Sequence, residues 1–273
     1  MELTVVGCSG SVPGPDSPAS CYLLTHDEGG RTWRVLLDLG SGALGALQRH
    51  VDPLSLDAVV LSHLHPDHCL DLTALKVYRG HGPAPVEGEL AVHAPPGAAE
   101  RMGRAYGVEQ AEELTGFAFH DLVEGRALTV GPFTITPYAV RHPVPTFGLR
   151  VSAGGAVLAY TGDTDSCPSL VPLMAGADVV LSEAAFVEDR DVERGLHLTA
   201  RRAAEAVLEA CAVAPVGALL LTHLPPWNDP EVALVEARSV WDGPVEVVAP
   251  GRRYAVGAGP RAEPGSSQEA DPP

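Results

Sequence analysis

The chain has 273 residues, 45% of them hydrophobic and 19% charged, which is enough apolar material for a sizeable core and unlike a disordered chain. Its net charge of −17, from 35 acidic against 18 basic residues, argues against a protein that grips a long polyanion through a basic surface. No apolar run reaches the roughly 18 residues of a membrane span, and Met1 to Gly7 lacks a basic n-region, so the sequence predicts a cytoplasmic protein without a signal peptide.

In chain order, short apolar runs of strand type occur at Leu3 to Val6, Cys21 to Leu24, Trp33 to Leu37, Ala58 to Leu61, Leu90 to His93 and Phe133 to Tyr138. More follow at Phe147 to Val151, Val157 to Tyr160, Asp178 to Leu181, Ala218 to Leu221 and Val245 to Val248. Several alternate apolar with polar, whereas Val179-Val180-Leu181 and Leu219-Leu220-Leu221 are continuous, as in strands covered on both faces. Helical spacing appears at Gly42 to His50, Leu70 to Arg79, Ala98 to Tyr106, Thr199 to Ala212 and Pro230 to Val240, with Thr199 as a candidate N-cap. Strands dominate the first half and strand–helix alternation the second, which suits an α/β (α+β) sandwich of two sheets flanked by helices. One domain over residues 1–256 is expected, with a disordered tail over 257–273 rich in Gly, Pro, Ser and acidic residues. The five cysteines are scattered and include no CxxC pair, so they predict no disulfide framework. Cys69 is read as a small buried hydrophobe at a helix start.

The strongest chemical signal is His63-Leu64-His65-Pro66-Asp67-His68, directly after an apolar strand. Three imidazoles and a carboxylate so close together suit a divalent cation such as zinc far better than a packed core. Further candidate ligands close other strands: His142 before Pro143, Asp163 in Thr161-Gly162-Asp163-Thr164, and His223 after Leu219-Leu220-Leu221-Thr222. Each alone would read as a turn or cap residue; together with the cluster they read as a metal site.

These residues, with the opening Gly7-Cys8-Ser9-Gly10-Ser11 and the Asp38-Leu39-Gly40 turn, make the chain resemble the metallo-β-lactamase superfamily, and within it the tRNase Z branch. The resemblance runs to about Val248 and implies an αββα sandwich of two mixed sheets with a two-metal site. By that likeness His63, His65 and His142 would hold one metal, Asp67, His68 and His223 the other, and Asp163 would bridge them. Glu183 matches the Glu of a His-Glu-Ala-Thr motif whose His is replaced by Ser182, and His197 matches a His just before a helix. From spacing alone His197 reads equally well as a capping residue; the resemblance favours a general acid whose pKa the carboxylate raises. Two metals would lower the pKa of a shared water, Asp67 would hold the resulting hydroxide in line, and His197 would protonate the departing alkoxide.

The glycine-rich opening is too short for a P-loop and lacks its Lys, leaving Ser9 and Ser11 as candidate phosphate contacts. True tRNases Z carry a long arm between the positions matching His142 and Asp163, where this chain has room only for two strands and a turn. The stretches GCSGSVPGPDSPAS, GALGALQRH and LLTHLPPW are similar to actinobacterial phosphodiesterases of the tRNase Z-like group that hydrolyse 3′,5′-cyclic AMP. That likeness implies a small-molecule cyclic nucleotide as substrate and a homodimer; the acidic charge and the missing arm predict no long nucleic acid as partner, and the short apolar runs no membrane. Zinc is the expected metal, with manganese its competitor. The alternatives are an RNA 3′-processing ribonuclease, a thioester or lactone hydrolase, and a non-catalytic nucleotide sensor. Phe147, Trp227 and Tyr78 are candidates to line a base pocket, while Arg79 and His81 are read as solvated surface residues.

Overall fold

Alternating apolar positions along the N-terminal strands build one face of a first sheet, and the same pattern recurs in a second sheet that packs against it. A computed structural model describes residues 1–84, 87–108 and 114–257. Among the described residues, the first sheet has the order β14 (Arg253–Ala255), β1 (Glu2–Gly7), β2 (Cys21–Glu28), β3 (Arg31–Leu37), β4 (Ala58–Val60), β5 (Leu90–Ala94) and β6 (Phe117–Asp121). The second has the order β13 (Val245–Val247), β12 (Ala218–Thr222), β11 (Val179–Glu183), β10 (Ala156–Tyr160), β9 (Phe147–Ala153), β8 (Phe133–Ala139) and β7 (Leu128–Val130). Both sheets are mixed: β3 to β6 and β10 to β13 run parallel, and the other pairs antiparallel.

Three apolar layers hold this together. Leu3, Val5, Leu24, Val35, Phe133, Ile135, Leu149, Leu158 and Leu181 fill the space between the sheets. Val6, Leu23, Leu36, Val59 and Val92 point the other way, toward α1 (Ala43–Leu47), α3 (Leu72–His81) and α4 (Ala98–Tyr106). On the far side Val180, Leu219 and Leu221 meet α5 (Leu170–Met174), α6 (Ala200–Cys211) and α7 (Pro230–Arg238). The unbroken apolar runs of β11 and β12 therefore reflect burial on both faces. Burying each such Val or Leu contributes roughly 1.5–3 kcal/mol.

Thr199 caps α6, its side chain accepting from Arg202 N. The helix expected over Gly42 to His50 spans only Ala43–Leu47: Gly42 is its N-cap, at φ 81, and beyond Leu47 the chain continues in tighter turns, Arg49 N donating to Ala46 O and His50 N to Leu47 O. The helix expected over Leu70 to Arg79 is α3, which starts at Leu72, and a separate short helix, α2 (Pro66–Cys69), precedes it. Beyond Gly257 the expected tail lies outside the described residues.

Candidate metal centre

Strand direction gathers the ligand-type residues at one end of the sandwich. The carboxyl ends of β1, β3 and β4 face those of β8, β10, β11 and β12, and Phe147 N donates to Ser62 O across the gap at 3.0 Å. Because β3 and β4 are parallel neighbours, Asp38 and Ser62 emerge side by side. Pro66 then starts α2 at its first turn, which suits proline, leaving His63 and His65 in extended chain and turning Asp67 and His68 inward. Glu183 pairs with Thr222 in register, so it lies next to His223.

Two four-residue groups of donor atoms result, each within 4.8 Å of one another: His63, His65, His142 and Asp163, and Asp67, His68, Asp163 and His223; Glu183, His197 and His223 form a smaller third group beside them. His65 Nδ1 lies 3.1 Å from His63 Nε2 and 3.2 Å from His142 Nε2. His68 Nε2 and Asp67 Oδ2 each lie 3.1 Å from His223 Nε2.

The outward nitrogens fix the tautomers. His142 Nδ1 donates to Leu196 O at 2.8 Å and His68 Nδ1 to Asp38 Oδ2 at 2.8 Å. Ser62 Oγ spends its proton on Asp38 Oδ2 at 2.8 Å, so it accepts from His63 Nδ1 at 3.1 Å. His63 and His142 thus turn unprotonated Nε2 atoms inward toward His65 Nδ1, where facing lone pairs cannot bond to one another. Nitrogens about 3.3 Å apart match the edge of a tetrahedron with roughly 2.0–2.1 Å zinc–nitrogen bonds. Asp163 Oδ1 is buried without a hydrogen bond among the described residues, although it lies 3.2 Å from His68 Nε2. A divalent cation fits both the spacing and that orphaned oxygen.

Electrostatics follow the same division. Burial holds His63 well below the ordinary imidazole range, and burial lowers His65 and His142. Burial opposes ionisation of Asp163, but His223, His68 and His63 outweigh it and keep its carboxyl well below the usual range. Asp67 is likewise lowered, burial being overcome by the adjacent His223 and His68 imidazoles. Burial disfavours the charged form of His68, yet Asp163 and Asp38 hold it well above the ordinary value.

Beside the second group, His197 Nδ1 donates to Glu183 Oε1 at 2.9 Å, leaving Nε2 for chemistry. Glu183 also accepts from Thr164 N at 2.7 Å and Ala185 N at 3.1 Å, which pins its carboxylate. Burial alone would lower His197, but the charge and hydrogen bond of Glu183 push it up to about 9.

Other candidates fall elsewhere. Phe147 packs between the sheets as a core residue, since its strand position faces inward, so it is not a base-pocket wall. Ser9 is buried and donates to Val12 O at 2.7 Å, which uses its hydroxyl to shape its own loop. Ser11 is exposed, with its backbone N–H directed at His223 Nε2 at 3.3 Å. Trp227 is 65% exposed on the loop after His223. Tyr78 packs under the outer helices. Arg79, expected at the surface, is buried on the same helix stripe as Leu72 and Leu75 and donates to Gly88 O. Cys69 is buried among apolar side chains, which pushes its thiol up to about 12, away from ligand chemistry.

Asp38 is the functional residue that the sequence left without a role. It is fully buried, has φ 57, and its Oδ2 also accepts from Tyr160 OH at 2.6 Å. The available signal was an aspartate closing the strand that neighbours the one before His63.

A family model described as a beta-lactamase superfamily domain matches residues 33–224. The chain belongs to the metallo-β-lactamase superfamily. Membership makes it a metallo-hydrolase with a His/Asp cluster able to bind metal ions. An uncharacterised protein of Mycobacterium leprae is 44% identical over 262 residues, 94% of this chain and 89% of its own. YhfI of Bacillus subtilis, a metallo-beta-lactamase fold protein, is 34% identical over 257 residues, 92% of this chain and 98% of its own. Its crystal structure superposes with a TM-score of 0.81 and 29% identity, covering 93% of this chain and 98% of that one. Ribonuclease Z of Mycobacterium marinum is 30% identical over 259 residues, 83% of this chain and 87% of its own. The human short-form tRNase Z shares the fold, with a TM-score of 0.70 at 20% identity over 94% of this chain and 99% of that one.

Proposed function

We propose that this superfamily member is a two-metal phosphodiesterase that hydrolyses 3′,5′-cyclic nucleotides, cyclic AMP in preference, to the 5′-monophosphate. The observation that carries the reading is the Glu183–His197 pair, an imidazole whose pKa the carboxylate raises, held beside the two donor groups. Such a proton donor serves an alkoxide leaving group, which has a high pKa, better than it serves a thiolate.

Bound divalent cations, zinc first and manganese second, would supply charge neutralisation at phosphorus and acidify water. His63, His65 and His142 would hold one, Asp67, His68 and His223 the other, with Asp163 shared. Asp67 would orient the attacking water in line. As the P–O3′ bond breaks, His197 would give its Nε2 proton to the departing 3′ oxygen, and Glu183 would stabilise the cation before transfer.

A small diester also suits the surroundings. Between His142 and Asp163 lie only β9, a Gly154–Gly155 turn and β10. Both glycines have positive φ, 57 and 82, as a two-residue hairpin turn of this kind requires. No exosite arm branches from this hairpin, and the net charge is −17. The similarity to ribonuclease Z favours a second reading, RNA 3′-end processing.

The test is incubation with Zn²⁺ or Mn²⁺ and cyclic AMP, following AMP by chromatography, with Asp67→Ala and a pre-tRNA in parallel. AMP formed by the wild type and lost in Asp67→Ala supports the proposal. A trimmed tRNA without AMP replaces it with the second reading, and inertness to both rejects each.

A further inference from the structure

β1 ends at Gly7, and the loop beyond it lies directly on the segment that carries His223. Ser9 bridges to both Ala19 and Leu224, and Gly10 N donates to Leu224 O at 3.0 Å. A Cβ on Gly10 would sit 2.1 Å from His223 O, so only glycine permits this approach. The chain then turns within three residues: Val12 N donates to Gly10 O at 2.7 Å while Ser11, between them, has φ 62. A γ-turn with positive φ at its centre is rare and strained, and for a residue with a Cβ such backbone costs about 1–3 kcal/mol. Ser9 Oγ, donating to Val12 O, holds the turn shut.

The product of this strain is the aim of one amide. Ser11 N–H points at His223 Nε2 from 3.3 Å. That nitrogen belongs to the second donor group. A lone pair committed to a cation is no longer open to the amide, so the N–H remains directed into the cleft without an acceptor. Strained backbone concentrates where function holds it, and a fixed N–H beside a metal is a preorganised donor for an oxygen that gains negative charge.

We propose that the Ser11 backbone N–H, fixed by the Gly10–Val12 turn, donates a hydrogen bond to a non-esterified phosphoryl oxygen of the substrate at the His223 side of the site. The proposal rests on the phosphoester reading above, but it concerns the loop and not the base. It assigns the work to the amide and none to the exposed Ser11 hydroxyl.

The probe is inorganic phosphate, added to ¹⁵N-labelled zinc-loaded protein. The Ser11 amide proton is expected to move downfield and to saturate with phosphate. An ester in place of the Gly10–Ser11 peptide removes that N–H and weakens the Gly10 carbonyl as acceptor for Val12 N, leaving Ser9 Oγ to hold the turn; zinc stoichiometry should persist while phosphate affinity falls roughly tenfold or more, as for a lost hydrogen bond to a charged group. Ser11→Gly keeps the N–H and relieves the positive φ, so its phosphate affinity should remain near that of the wild type. A Ser11 amide that does not respond to phosphate, or an ester protein that binds it as well as the wild type, overturns the proposal. Phosphate binding is read without turnover, so inertness toward cyclic AMP counts against the function alone, and an active enzyme with a silent amide counts against the loop alone.

Discussion

Asp38 makes a case for what a single buried carboxylate does for a metal centre. Its Oδ1 accepts from Ser62 N at 2.7 Å, and its Oδ2 accepts from Ser62 Oγ, Tyr160 OH and His68 Nδ1. These bonds orient His68 directly and His63 through Ser62, so one residue serves both donor groups. In Asp38→Asn the amide can match at most part of this pattern. Zinc affinity should fall about 10–100-fold, the usual effect of losing such a partner. Competition with a chromophoric chelator measures it, and an unchanged affinity would remove Asp38 from the site. The Glu183–His197 pair gives a second test at this scale. In metal-free protein the His197 ring should titrate near 9, above the ordinary 6.5, because Glu183 overcomes burial. The sign follows from linkage: a raised imidazole pKa stabilises the fold fully below pH 6.5, and this contribution is lost as pH rises through about 9. In Glu183→Gln burial is unopposed by that charge, so the midpoint read from the ring protons by NMR should drop by more than a unit. A midpoint that stays near 9 would mean that another group charges His197.

At the scale of elements, the ligand loops are pinned by backbone packing. Gly40 lies so close to α2 that a Cβ would meet Asp67 O at 1.9 Å, while Leu39 N donates to His68 O at 2.8 Å. The loop after β3 is therefore a mould for the helix turn that carries Asp67 and His68. Gly40→Ala should displace that turn, costing about 1–3 kcal/mol as overpacking does and weakening the site that Asp67, His68 and His223 form. Thermal unfolding and zinc stoichiometry would report the two effects; full zinc binding at wild-type stability would show that the mould is dispensable. The same elements show why some of the fold could be read from the chain and some could not. Ala98–Tyr106 has helical spacing and lies where that spacing predicts, and the apolar runs of β8 to β12 stand out because they are buried on one or both faces. β6, β7 and β14 escaped because, unlike the equally short and fully buried β4, they are only partly buried, and α2 and α5 because four or five residues make little more than one turn; neighbouring strands and loops define them. The ligand types were legible for a similar reason, since imidazoles and carboxylates cluster without any core explanation. Asp38, a lone aspartate in a turn, gave no such signal, and Ser11 was named as a phosphate contact through its glycine-rich loop while its φ and the aim of its N–H were not readable there.

Over the whole molecule, charge and metal act in opposite directions on an approaching substrate. The chain carries −17 overall, so a long polyanion meets repulsion along its length. A metal centre reverses the sign of the field only locally, because screening limits its reach to about 8 Å at physiological salt. A cyclic nucleotide carries one charge and can place it within that distance, whereas a folded tRNA must bring many phosphates across acidic surface. Labelled tRNA titrated with zinc-loaded protein at physiological salt should therefore show no saturable binding at micromolar protein, and lowering the salt should not rescue it, since there are few counterions to release. Fluorescence anisotropy reads this directly. Tight binding that weakens steeply with added salt would reveal a basic tract that the overall charge conceals, and would shift the balance from the cyclic nucleotide to RNA 3′-end processing.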